Sequence, residues 1–163
     1  MDSHRVYCVD DGHGNSHHCQ LLVHTLLMVD MDELKLIVAG GREFDDKDKL
    51  YSALDYIVSG IRCRVAIVSG CARGADTLAI EYADDMGMKV YKFPADWDKY
   101  GKRAGHIRNR EMGDFADGLV AFWDGKSPGT RHMIEYMNEL EKPVEIFNYD
   151  HVPKPPKDDV ELW

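Results

Sequence analysis

Arginines, glycines and carboxylates crowd into the places where strand-like runs give way to helix-like ones. The densest case is SGCARGAD (Ser69–Asp76), where Gly70 and Gly74 flank Cys71-Ala72-Arg73. The β-branched run Val65-Ala66-Ile67-Val68 precedes it and an apolar helical pattern follows. Glycine lets backbone N–H groups approach an anion closely. The start of the following helix offers unpaired N–H donors and about half a positive charge. That chemistry suits a phosphate, with Ser69, Gly70, Arg73 and Gly74 as the candidate ligand residues. Asp76 falls in the first helical turn, where it either caps the helix or accepts from ribose hydroxyls. Cys71 is a nucleophile by type, but a small buried thiol is the plainer reading.

Three other junctions carry related chemistry. Gly40-Gly41-Arg42-Glu43-Phe44 follows the apolar run Leu34–Ala39, and Arg42 is suited to bidentate contact with a phosphate. Pro94 to Asn109 reads as a long loop holding Trp97, Tyr100, four basic residues and His106. Long ordered loops tend to be functional. Trp97 suits stacking on a base, and Arg108 and Asn109 suit a phosphate and a ribose or base edge. Trp123-Asp124-Gly125-Lys126-Ser127-Pro128-Gly129-Thr130 closes the set. Gly125-Lys126-Ser127 is not a P-loop, because Val120 stands where Walker A needs glycine. Gly129 and Thr130 remain as a helix-start anion site. No G-x-G-x-x-G is present, so dehydrogenase-type NAD binding is unsupported, and no cofactor is expected.

The elements that must position these residues alternate. Strands are expected at 34–39, 65–68, 89–93, 118–122 and 144–147, with helices at 46–60, 77–87, 104–115 and 130–140 between them. Leu78, Tyr82, Ala83 and Met86 should point inward, and Gly87 suits a helix C-terminus. Strands separated by helices imply βαβ units and a parallel sheet. Continuous apolar strands imply burial on both faces. The expected fold is therefore α/β, a Rossmann-like three-layer sandwich with a mainly parallel five-stranded sheet. Right-handed crossovers bring the strand-to-helix loops to the carboxyl edge, where such folds bind ligands.

Composition sets the outer limits. The chain has 163 residues and a net charge of -9. That balance argues against a duplex-DNA or membrane partner, which needs a positive field. It leaves room for one locally positive pocket. Cys8, Cys19, Cys63 and Cys71 show no disulfide spacing, so a cytoplasmic location is expected. Residues 1–30 hold His4, His13, His17, His18 and His24 but match no zinc-finger spacing. A weakly structured leader without a metal is expected there. The compact domain is expected at 31–148, opening at Met31, with a proline- and charge-rich tail at 149–163 whose apolar Val160 and Trp163 could dock it. Self-association into a homo-oligomer is an open possibility.

GGREF (Gly40–Phe44), SGCARGAD, FPADWDKYGKRAGHIRNREM (Phe93–Met112) and WDGKSPGT (Trp123–Thr130) together resemble the YpsA-related branch of the SLOG superfamily. The resemblance covers about 34–147, with four separated motifs in order. That superfamily includes DNA-processing protein A and the Lonely Guy phosphoribohydrolases. The resemblance implies a nucleotide or phosphoribose ligand. In the Lonely Guy motif Gly-Thr-x-x-Glu the glutamate stabilises charge at the sugar. Here Met133 takes that position and Glu135 lies two residues further on.

These observations lead to an expected small-molecule nucleotide or NAD-derived ligand at the carboxyl edge, bound for sensing or sequestration. A nucleotide N-glycosidase using Asp76, Asp124 or Arg108 is the alternative, weakened by Met133. Single-stranded DNA binding is a second alternative, disfavoured by the net charge. Arg42→Ala or Gly74→Val is expected to abolish binding while leaving the fold intact.

Overall fold

A computed structural model of the chain describes residues 32–150. The histidine-rich leader with its Cys8 and Cys19, the start at Met31, and the tail from residue 151 onward lie outside the described residues. Five strands are present: β1 (Glu33–Gly40), β2 (Arg64–Ser69), β3 (Val90–Lys92), β4 (Gly118–Trp123) and β5 (Val144–Asn148). Between them run α1 (Lys47–Ser59), α2 (Ala75–Asp85), the one-turn α3 (Trp97–Tyr100), α4 (Ala104–Phe115) and α5 (Pro128–Glu139). A 3-10 turn at Gly101–Arg103 joins α3 to α4.

The strands form one sheet in the order β3-β2-β1-β4-β5. Every pairing is parallel, with Leu36 opposite both Ile67 and Gly118 in the register of β1 with β2 and β4. The expectation of a parallel five-stranded α/β sheet holds. Alternate side chains of the central strands feed two cores, because successive residues of a strand face opposite sides. On one face Leu36, Val38, Ile67, Val120 and Phe122 pack with Leu50, Leu54 and Ile57 of α1 and Tyr82 of α2. On the other Ile37, Ala39, Val68, Leu119 and Ala121 pack with Met112 of α4 and Met133, Ile134 and Met137 of α5. Burying such a side chain stabilises the fold by about 1.5–3 kcal/mol, which is why the strands read as unbroken apolar runs.

Local signals set the helix ends. Asp46 accepts the N–H of Lys49 and caps α1. Gly87, at φ +66°, follows Met86, the C-cap of α2, where a left-handed turn favours glycine. Two expectations need correction. Met86 is 48% exposed rather than inward, since α2 ends at Asp85 and Met86 stands just past it as the C-cap. The segment after β3 is not an extended loop: Asp96 accepts the N–H of Lys99 and nucleates α3, and the chain runs through the 3-10 turn into α4. Arg108 and Asn109 are helical residues of α4, within the helix expected at 104–115, and so are held on a rigid element.

Candidate functional site

The stretch after β2 is a self-bound turn. The buried Ser69 hydroxyl donates to the carbonyl of Asp76 (3.2 Å) and accepts the N–H of Cys71 (3.2 Å). The Asp76 carboxylate accepts the N–H of Ala72 (3.3 Å), and the Thr77 hydroxyl donates to the Ala72 carbonyl (2.9 Å). Asp76 thus fastens the turn in front of α2, in addition to sitting in the helix's first turn. Cys71 adopts φ +58° and is exposed, which corrects the expectation of a buried thiol. The left-handed residue turns its side chain out of the core.

Two glycines are required by close approach. A Cβ on Gly70 would lie 2.5 Å from Nη1 of Arg108 and 2.8 Å from Oδ2 of Asp76. Gly74 combines φ +88° with contact to the Gly41 and Arg42 backbone, where a Cβ would overlap main-chain atoms. The expectation that Gly74→Val spares the fold is therefore not supported.

Arg108 reaches over Gly70 from α4. Its Nη1 donates to the carbonyl of Gly70 and to that of Phe93 (3.4 Å), and its Nε donates to Oδ1 of Asn109 (3.1 Å). Arg42 comes from the loop after β1, its guanidinium 6.0 Å from the centre of the Trp97 ring. Trp97 is 50% exposed, with its ring tip against Gly105. Arg42, Gly70, Cys71, Ala72, Arg73, Pro94, Ala95, Trp97 and Arg108 line one open cleft of about 610 Å³. The size suits a nucleotide-scale ligand. Arg73 stands at the rim in an exposed ion pair with Glu43, a contact worth little in water.

Several expected site residues are used elsewhere. Gly40 is pressed against the Phe122 backbone and Ala75, and Tyr149 covers Gly41 while packing edge-on against Phe44 at 4.9 Å. Asn109 is buried and donates to the Gly129 carbonyl (3.1 Å), joining α4 to the start of α5. Its Nδ2 also faces Nδ1 of His132 (3.3 Å), whose ring stacks on His106 at 4.1 Å. Thr130 is buried beside Ser127, and Asp124 accepts the N–H groups of Lys126 and Ser127, so it organises its own loop. The fourth loop is thus tied to the cleft through Asn109 without lining it. Met133 is a core residue of α5, not a cleft residue.

Electrostatics singles out Asp76. Burial pushes its carboxyl up to about 6, against the pull of Arg108, the Ala72 and Gly70 amides, and Arg42. Burial likewise lowers Arg108, with Asp76 opposing. A carboxyl whose native pKa lies above its unfolded value contributes stability that is full below about pH 4 and is lost as pH rises through about 6. The charged form at neutral pH costs on the order of 3 kcal/mol. Asp76→Asn keeps the shape and an acceptor oxygen, so it should raise the melting temperature at pH 7.5 and leave it nearly unchanged at pH 4. A circular-dichroism melt at both values checks this, and a lowered melting temperature at pH 7.5 would refute it.

A parallel sheet of order 3-2-1-4-5 with an arginine-lined cleft at its carboxyl edge defines a Rossmann-like α/β domain. The chain belongs to the YspA, cpYpsA-related SLOG family, whose family model matches residues 34–100. It is similar to the Gene 61 protein of Mycobacterium phage D29, at 32% identity over 126 residues covering 73% of this chain and 98% of that protein. In fold it is similar to DNA processing protein A from Helicobacter pylori, with a TM-score of 0.52 and 18% identity over 72% of this chain and 66% of the other. That protein binds single-stranded DNA. The fold is therefore not reserved for small molecules, and the expectation of a small-molecule nucleotide as the partner is corrected accordingly. Membership of the family supports nucleotide or nucleic-acid binding in general. Among the described residues no helix is long and apolar enough to cross a membrane.

Proposed function

We propose that the cleft binds one nucleotide unit, with phosphate between Arg42 and Arg108 and base on the open face of Trp97. The unit is either a free nucleotide derivative carrying a phosphoribose or part of a single strand. The observation that carries this is the convergence of three arginines, Arg42 and Arg108 with Arg73 at the rim, and a half-exposed tryptophan on one cleft in a chain of net charge -9. Arginine suits phosphate by its forked geometry, and an aromatic face stacks on any base. Among the described residues no carboxylate lines the cleft, which favours binding over glycosidic hydrolysis.

Tryptophan fluorescence titration with ADP-ribose and with single-stranded oligodeoxythymidylate tests the reading. A charge-assisted contact to phosphate is worth about 1.5–3 kcal/mol, so Arg42→Ala should weaken binding by about ten- to a hundredfold. A steep loss of affinity with salt would mark the strand, because binding it releases counterions. Failure of both probes to bind, or unchanged affinity in Arg42→Ala, would overturn the assignment.

A further inference from the structure

We infer that Asp76 sets the charge of the cleft: its buried carboxyl offsets the Arg108 guanidinium across Gly70, and a phosphodiester bound beside Arg108 takes up a proton at Asp76. The inference rests on the nucleotide reading of the cleft. Its basis is geometric. Gly70 lies between the two side chains: a Cβ there would meet Arg108 at 2.5 Å and Asp76 at 2.8 Å. Nη1 of Arg108 is engaged by the Gly70 and Phe93 carbonyls, which fixes the guanidinium at the cleft wall. Asp76 is 5% exposed, directly behind that wall.

The groups facing Asp76 come from three elements. Arg108 approaches from α4, Arg42 from the loop after β1, and the amides of Ala72 and Gly70 from its own loop. Cys71 faces Arg108 from the same loop. Burial already holds the carboxyl at about 6. A phosphate against Arg108 adds a like charge and removes water, and both disfavour the carboxylate. Its pKa therefore rises further on binding, and a group whose pKa rises on binding links affinity to proton concentration. The affinity should fall as pH rises above 6, by up to about tenfold per pH unit until the pKa of the bound state is passed.

The test measures affinity from pH 5 to 8 at constant ionic strength. The probes are ADP-ribose and labelled oligodeoxythymidylate without terminal phosphates, because terminal monoesters themselves titrate near pH 6. The wild-type protein should bind more weakly as pH rises. Asp76→Asn should hold the low-pH affinity across the whole range. A purely structural Asp76 would instead make Asp76→Asn weaker at every pH and leave the wild-type profile flat. Binding without a pH slope in the wild type, or the wild-type slope retained in Asp76→Asn, overturns the inference while leaving the nucleotide reading in place. No binding of either probe at any pH overturns both.

Discussion

Replacing Gly74 with valine is expected to unfold the domain rather than merely empty its cleft. Gly74 stands at φ +88° and ψ -128° as the residue before α2. That region of backbone space is essentially closed to residues with a Cβ, and a β-branched residue is among the worst placed there. Holding it there costs roughly 1–3 kcal/mol. The new Cβ would also overlap the backbone of Gly41 and Arg42, which cannot swing aside as a flexible side chain can. Overpacking of that kind adds about 1–3 kcal/mol. The combined loss is a large fraction of the roughly 5–15 kcal/mol that holds a domain together. Gly70→Ala is the informative contrast. Its Cβ meets side-chain rather than backbone atoms, so the clash is relieved by pushing the Arg108 guanidinium off the Gly70 and Phe93 carbonyls, at some cost but without moving the main chain. That variant should fold, with a melting temperature within several degrees of the wild type, and lose nucleotide binding. Urea titrations followed by circular dichroism separate the two. A Gly74→Val protein that melts like the wild type would mean that the loops after β1 and β2 do not pack as described.

The contrast also shows where the sequence is legible. Val65–Val68 and Leu34–Ala39 read as buried parallel strands because burial on both faces leaves almost no polar position, Lys35 near the start of β1 being the exception, and the structure places both strands inside the sheet. Helix α4 is legible to the residue at both ends. The short α3 is not, because a single turn carries too few residues to show a period, and Asp96 as its cap is visible only once the N–H of Lys99 is seen to reach it. The site divides along a similar line. Each loop advertises its glycines and arginines, but which loops meet depends on strand order, and strand order leaves no local trace. Since β2 and β3 lie to one side of β1 and β4 to the other, the first three loops share a cleft and the fourth does not. Asn109 illustrates the cost of that blindness. Its type suits a ribose, yet α4 turns it toward Gly129, and it joins two helices instead. The exposure of Cys71 depends on one dihedral angle that no composition reveals.

Arg108→Ala should weaken binding severely while still leaving a folded protein. The side chain does three things at once. It presents positive charge to the cleft, ties α4 to the Gly70 and Phe93 carbonyls, and balances Asp76. Removing it deletes a charge-assisted phosphate contact and leaves part of a buried carboxylate uncompensated, which repels the same phosphate. Affinity for ADP-ribose or oligodeoxythymidylate at pH 7.5 should fall by about a hundredfold or more, since contacts of this kind are worth about 1.5–3 kcal/mol each. Stability should fall too, because two carbonyls lose a donor and Asp76 loses its nearest cation. The second loss is recoverable. Adding Asp76→Asn to Arg108→Ala removes the orphaned charge, so the double variant should be more stable than Arg108→Ala alone at pH 7.5. The two substitutions should therefore be non-additive, as residues coupled by charge are. At pH 5 Asp76 is largely protonated in either background, and the coupling should shrink. A coupling that is the same at both pH values would show that Asp76 and Arg108 interact through packing rather than through charge.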